Sequence, residues 1–251
     1  MDMKVNLLDF SHLEEVLIVL QGDPHVGSKT FDEPRFKKHV DWAVRHKAYW
    51  INMGDALEGA TRDSVGSGVY EQEEIFEKQI DHYIELIQPL LDKDLFLGSH
   101  PGNHEDRAFK AVGINPTKLI AKLTNTKYFG AGVVHYIRVG KENYTLYTTH
   151  GSSGARMPHT KIKKAIDLEK MVEAEIYAMG HLHILSHHAR QYYAFDKRSK
   201  TLKAEERHFI IAGSYLKHWG SYAHNLGLEP GKLGSAILEL KGGEHSVRVK
   251  L

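Results

Sequence analysis

Five short blocks, spread from residue 22 to residue 183, pair glycine with aspartate, histidine or asparagine: Gly22-Asp23-Pro24-His25, Gly54-Asp55, Gly102-Asn103-His104-Glu105, His150-Gly151 and Gly180-His181-Leu182-His183. Most of them follow a stretch that reads as a β-strand. Polar side chains delivered from several strand ends act together only in a fold that collects those ends at one edge, which points to stacked strands joined by crossovers.

The pattern along the first hundred residues fits such a fold. Residues 16–20 form a wholly apolar, β-branched run of strand length, as expected of a strand buried on both faces. Residues 33–47 read as a helix: Asp32 stands at the cap position, Pro34 suits the first turn, and Phe36, Val40, Ala43 and Val44 share one face. Residues 49–53 are a second strand, residues 71–91 a long amphipathic helix, and residues 94–98 a third strand. Strand, helix, strand, helix, strand predicts a parallel sheet with covering helices. The Gly/Ser-rich stretch 59–68 reads as a loop.

Beyond residue 130 the texture changes. Residues 133–139, 144–149, 175–179, 187–195, 208–212, 236–240 and 246–250 read as strands, with one clear helix over 160–172 among them. Strands joined by short turns predict a second, antiparallel or mixed sheet. The simplest assembly is an α/β fold in four α/β/β/α layers, a sandwich of two mixed sheets flanked by helices. No repeat or Pro-rich linker divides the chain, so residues 1–251 are expected to form a single domain with one substantial core.

A formal net charge of +1 announces no global field toward nucleic acid or a membrane, although it leaves room for a local basic patch. Asp2, Asp9, Glu14 and Glu15 stand where an export signal would carry basic residues, and the apolar run 16–20 is far too short to span a bilayer. The expectation is a cytoplasmic protein with no membrane partner. The absence of cysteine excludes disulfides and thiolate ligands, so any metal would be held by nitrogen and oxygen.

Asp23 and His25 lie two apart, and if the strand continues through them their side chains leave the same face and can grip one ion. His181 and His183 repeat the spacing. Any one pair is a weak signal among 18 histidines. All five blocks in this order are a strong one, and together they resemble the calcineurin-like metallophosphoesterase superfamily, whose pattern is Asp-x-His, Gly-Asp, Gly-Asn-His-Asp/Glu, His and Gly-His-x-His. The resemblance implies the same α/β/β/α sandwich. It also implies that Asp23, His25 and His183 bind one divalent ion, that Asn103, His150 and His181 bind a second, and that Asp55 bridges them. By the same resemblance His104 is no ligand but faces the substrate, as general acid or charge stabiliser for attack by a bridging hydroxide. Two carboxylates, one neutral amide and neutral imidazoles leave such a centre positive and attractive to a phosphate ester. Mixed N/O ligands suit Mn²⁺, Fe or Zn²⁺, and the resemblance favours Mn²⁺.

Protein phosphatases of that superfamily place arginines where this chain has Gly59 and Pro101. Without that clamp for a dianion, unless Arg62, Arg107 or Arg156 replaces it, a phosphodiester is the expected substrate and DNA or RNA the leading class. Arg156, His159, Lys161, Lys163 and Lys164 follow the His150 block, and Arg156 with the three lysines is the candidate backbone-phosphate contact; the competing reading is a solvated helix face. Tyr215, His218, Trp219, Tyr222 and His224 offer either base stacking or ordinary packing. Competing functions are a phosphomonoesterase or nucleotide pyrophosphatase on small substrates, and a silent scaffold, which retention of all seven ligands and His104 disfavours. Oligomeric state is open, a homo-oligomer included.

Overall fold

The computed structural model describes residues 4–61, 72–220, 224, 227 and 229–251. Arg62, Tyr222, most of the Gly/Ser-rich loop and residue 71, where the long helix is expected to begin, lie outside them. In chain order the first half holds β1 (Lys4–Phe10), β2 (Glu15–Gln21), α1 (Glu33–His46), β3 (Tyr49–Asn52), α2 (Phe76–Leu91), β4 (Phe96–Ser99), α3 (Asn103–Val112) and α4 (Pro116–Leu123). The second half holds β5 (Gly132–Val139), β6 (Glu142–Thr149), α5 (Pro158–Ile166), β7 (Ile176–Met179), β8 (Leu185–Asp196), β9 (Thr201–Ala212), β10 (Ala236–Lys241) and β11 (Val247–Lys250).

The strands form two mixed sheets. A five-stranded sheet runs β11-β10-β2-β3-β4, with β2, β3 and β4 parallel and β10 antiparallel to β2. A six-stranded sheet runs β1-β5-β6-β7-β9-β8, with β6, β7 and β9 parallel. Val16, Ile18 and Leu20 of β2 face Val133, Ile137, Leu146 and Ile176 of the other sheet, so the main core lies between the sheets. On the opposite side of β2, Val19 packs with Phe36, Val40, Ile80 and Tyr83 beneath α1 and α2. Tyr177 and Phe209 do the same beneath α5. These three cores define the α/β/β/α sandwich.

Three details depart from the sequence reading. The sheets do not divide the chain into halves: β10 and β11 complete the first sheet, and β1 pairs in parallel with β5 in the second. Asp32 precedes α1 without a side-chain cap bond, its carboxylate turned instead to Arg35 at 3.2 Å. The helix expected over 160–172 is α5 followed by a 3-10 turn, Asp167–Lys170. Among the described residues no helix is long and apolar enough to cross a membrane.

The topology positions the motifs. β2, β3 and β4 end at residues 21, 52 and 99 on one edge of the first sheet, just before Asp23, Asp55 and Asn103. β6 and β7 end together at residues 149 and 179, just before His150, His181 and His183. Open α/β sheets place their ligand crevices outside the carboxyl ends of parallel strands.

Candidate metal centre

All seven side chains singled out in the sequence converge, in two groups that share Asp55. Donor atoms of Asp23, His25, Asp55 and His183 lie within 4.8 Å of one another, as do those of Asp55, His150 and His181. In the first group the Nε2 atoms of His25 and His183 are 3.2 Å apart, and His183 Nε2 is 3.3 Å from Asp23 Oδ2. In the second, His150 Nε2 lies 3.3 Å from Asp55 Oδ2 and 3.1 Å from Asn103 Oδ1, which in turn is 2.8 Å from His181 Nδ1.

Neighbouring backbone fixes which atom each ring presents. His150 Nδ1–H donates to the Met53 carbonyl at 2.9 Å, leaving Nε2 for the cluster. His181 Nε2–H donates to the Ser153 carbonyl at 3.0 Å, leaving Nδ1. Asp55 is held by its other oxygen, Oδ1, which accepts the His104 N–H at the start of α3 at 2.9 Å. Such outer hydrogen bonds select tautomer and orientation at metal-binding histidines.

The convergence does not come from strand alternation. β2 stops at Gln21, and His25, Asp55, His181 and His183 all have left-handed backbone, with φ of 51°, 46°, 66° and 52°. They make up half of the eight non-glycine residues with positive φ among those described. Left-handed backbone is costly for such residues and clusters at functional sites. Glycine admits the close packing this requires. A Cβ on Gly102 would stand 2.0 Å from Asp55 Oδ1 and 2.2 Å from the Asp55 backbone nitrogen.

The donors fit cations. Asp23 is fully buried, and neither carboxylate oxygen has a hydrogen-bond partner. A buried carboxylate left so costs several kcal/mol unless a positive group faces it. Burial opposes charge on His150, yet Asp55 and then Asp23 outweigh it and push the ring up to about 10. Burial likewise opposes ionisation of Asp55, but the His150 and His104 imidazoles hold its carboxyl well below the usual range. Both shifts mark a place where the carboxylates favour positive charge.

His104 points at the same space. Its Nδ1–H donates to the Glu58 carbonyl at 2.6 Å, and its Nε2 accepts from Arg107 Nη2 at 3.0 Å. Burial, then the neighbouring His25, pushes it down to about 4, so the ring is neutral near pH 7. Of the arginines able to replace the missing clamp, Arg107 therefore reaches the site, Arg62 lies outside the described residues, and Arg156 is exposed. Among the described residues, Arg156, Lys161, Lys163 and Lys164 make no hydrogen bond or ion pair with the cluster. Lys163 pairs with Asp167 at 2.9 Å, and Lys161 is half-buried. Tyr215 is a core residue and Trp219 is 78% exposed, so the aromatic stretch is not one surface.

Two further acids stand beside the cluster, of which the sequence reading missed Glu58. Glu58 Oε2 lies 3.3 Å from His25 Nδ1, and its position three residues after Asp55 was the available signal. Glu105, the last residue of the third block, is buried and accepts two backbone N–H bonds, from Leu57 at 2.9 Å and Gly102 at 2.8 Å. It ties the start of α3 to the loop that carries Asp55.

Comparison with known proteins found no matching family and no matching curated protein. Among solved structures the chain is similar to a conserved uncharacterized protein, a predicted phosphoesterase, from Streptococcus pneumoniae TIGR4. The two are 14% identical over 94% of this chain and 97% of that one, with a TM-score of 0.39.

Proposed function

We propose that this chain is a two-metal phosphoesterase of the calcineurin-like metallophosphoesterase superfamily, acting on phosphodiesters and most naturally on nucleic acid. The observation that carries the reading is the pair of donor groups sharing Asp55, one of them containing the buried Asp23 carboxylate, which accepts no hydrogen bond. Asp23, His25 and His183 would hold one ion, Asn103, His150 and His181 the other, and Asp55 both. Divalent ions bound there supply an activated water and Lewis-acid stabilisation of phosphoryl oxygens; Mn²⁺, Fe and Zn²⁺ all suit the ligand set.

The chain's own residues do the rest. The His104 N–H and the two bonds to Glu105 hold Asp55 and the α3 terminus in place. His104 Nε2 accepts from Arg107 in the neutral ring; with a phosphate anion bound beside it, that nitrogen would take up a proton and serve the leaving oxygen as general acid or charge stabiliser. Arg107, in contact with it, brings a fixed positive charge, so the incoming phosphate anion and the guanidinium balance one another. That guanidinium is also the observation favouring the second reading, a phosphomonoesterase, since a dianion gains most from it.

The deciding experiment is a panel of a chromogenic diester, its matched monoester, DNA, RNA and dinucleotides, each with Mn²⁺, Fe²⁺ and Zn²⁺. Diester turnover is expected to exceed monoester turnover; the reverse order would install the second reading. His104→Ala is expected to keep its metals and lose ~10²–10⁴-fold in diester turnover. Replacing Lys161, Lys163 and Lys164 by alanine should weaken only nucleic-acid turnover and flatten its salt dependence. No change would leave these lysines a solvated face.

A further inference from the structure

The helix layer over the first sheet is incomplete. The core beneath α1 and α2 draws on β2, β3 and β4, while from β10 only Ile237 reaches its margin. Beside α1 this leaves a cavity of about 400 Å³, within the ~300–1,000 Å³ range of small-molecule sites. Its floor is Val19 and Ile237, and its wall is the Trp42 indole, stacked on His46 with ring centroids 4.3 Å apart.

The rim carries mixed charge. Lys38 has no carboxylate partner among the described residues, and Arg45 donates from Nε to the Asp41 carbonyl at 3.3 Å, which leaves its terminal nitrogens available. The Asp41 carboxylate stands beside them as an acceptor. An apolar floor with an indole wall suits a planar ring, the two cations suit an anion, and the carboxylate suits an N–H or O–H donor. One small molecule combining the three is a nucleoside monophosphate.

The cavity is also wired to the metal centre. His39, which lines it, has Nδ1 2.8 Å from the Tyr215 hydroxyl; that hydroxyl is 2.8 Å from Ser235 Oγ; and Ser235 Oγ accepts the Gly22 N–H at 2.9 Å. Gly22 immediately precedes Asp23, whose carbonyl accepts both Ser214 Oγ and the Tyr215 N–H at 2.9 Å. One consistent assignment runs Gly22 to Ser235 to Tyr215 to His39, each donating to the next. Bonds in such a chain polarise one another, so a group that engages His39 alters the hold on the segment carrying Asp23.

We propose that this groove is a second binding site, for a nucleoside monophosphate, coupled to Asp23 through His39, Tyr215 and Ser235. As a site for a hydrolysis product it rests on the nucleic-acid reading; as a binding site it does not. The probe is the methylenephosphonate analogue of AMP, which resists ester hydrolysis, titrated calorimetrically into metal-loaded, full-length protein. Two molecules are expected per chain, one at the metals and one in the groove. Trp42→Ala, and separately Lys38→Ala with Arg45→Ala, should weaken one of the two events by ~10-fold or more and spare the other. Against a chromogenic diester the analogue should lower kcat as well as compete, and Tyr215→Phe should retain both binding events but leave competition alone. A single event that neither set of groove variants changes would overturn the site. Two events with purely competitive inhibition of the wild type would overturn the coupling. If no diester is hydrolysed, the proposed function fails while the stoichiometry still decides the groove.

Discussion

At the scale of single residues, the centre is built around buried carboxylates whose basic neighbours are imidazoles. Asp23 is the sharpest case, a buried carboxylate that accepts no hydrogen bond and has, among the described residues, only the His183 and His150 rings as basic neighbours within 4 Å. Asp23→Asn should therefore raise the melting temperature of the metal-free protein while lowering its metal affinity. Differential scanning fluorimetry in chelator, beside metal titration, checks both; a metal-free variant less stable than wild type would refute the account. His150 makes the complementary case. Its folded-state value, raised to about 10 chiefly by Asp55 against the opposing effect of burial, lies above the ordinary ~6.5 of an unfolded chain. Its contribution to metal-free stability is thus fully present below about pH 6.5 and is lost as pH rises toward 10. Because an imidazole must give up its proton to bind a metal, uptake near pH 7.5 should release at least one proton. Calorimetry in buffers of different ionisation enthalpy measures that number, and a value of zero would exclude a protonated His150.

At the scale of elements, what the sequence revealed tracks how cleanly each element separates apolar from polar positions. β2 and α1 were legible because residues 16–20 are uniformly apolar and Phe36, Val40 and Ala43 recur on one face, and all three are buried. β1 was not, since its outward Val5 and Leu7 are as apolar as the inward Leu8 and Phe10 and leave no alternation to read. β9 was expected from residue 208 but begins at Thr201, because its first six residues are exposed and carry no buried stripe. α3 hid inside the Gly102-Asn103-His104-Glu105 block, its pattern blurred by the exposed Phe109 and Val112. α4 has a local start signal, since Asn115 accepts the Lys118 N–H and Pro116 opens the helix. The start of α3 matters most for the site. With a Cβ of residue 102 at 2.2 Å from the Asp55 backbone nitrogen, no side-chain rotation relieves Gly102→Ala. That variant should lose about 1–3 kcal/mol by denaturant melting and ~10–100-fold in metal affinity. Wild-type affinity in a folded variant would show that the close approach of α3 to Asp55 is dispensable.

At the scale of the whole molecule, the seven residues that cluster were readable but the means of gathering them was not. The motifs named the seven residues, yet left-handed backbone at His25, Asp55, His181 and His183, not continued strands, turns them inward. Backbone contacts between segments distant in sequence surround that conformation, such as His25 N–H to the Asp55 carbonyl at 3.1 Å, and no local pattern encodes them. Asp23 and Asp55 leave the five-stranded sheet, His150 and His181 the six-stranded one, and Asn103 the start of α3, so ions bound among them would clamp both halves of the sandwich. A ligand that binds only the folded state stabilises it by about 2.7 kcal/mol at a hundredfold excess over Kd. For a chain of this size each kcal/mol moves the melting temperature by roughly 2–4 °C. Adding Mn²⁺ at that excess to chelator-treated protein should then raise Tm by about 5–11 °C, and hydrogen exchange should slow together at residues 22–26, 54–58, 102–105, 150–153 and 180–183. Protection confined to the segments of one sheet would mean that the ions bind on one side only. The shared Asp55 would then be a packing feature and not a bridge.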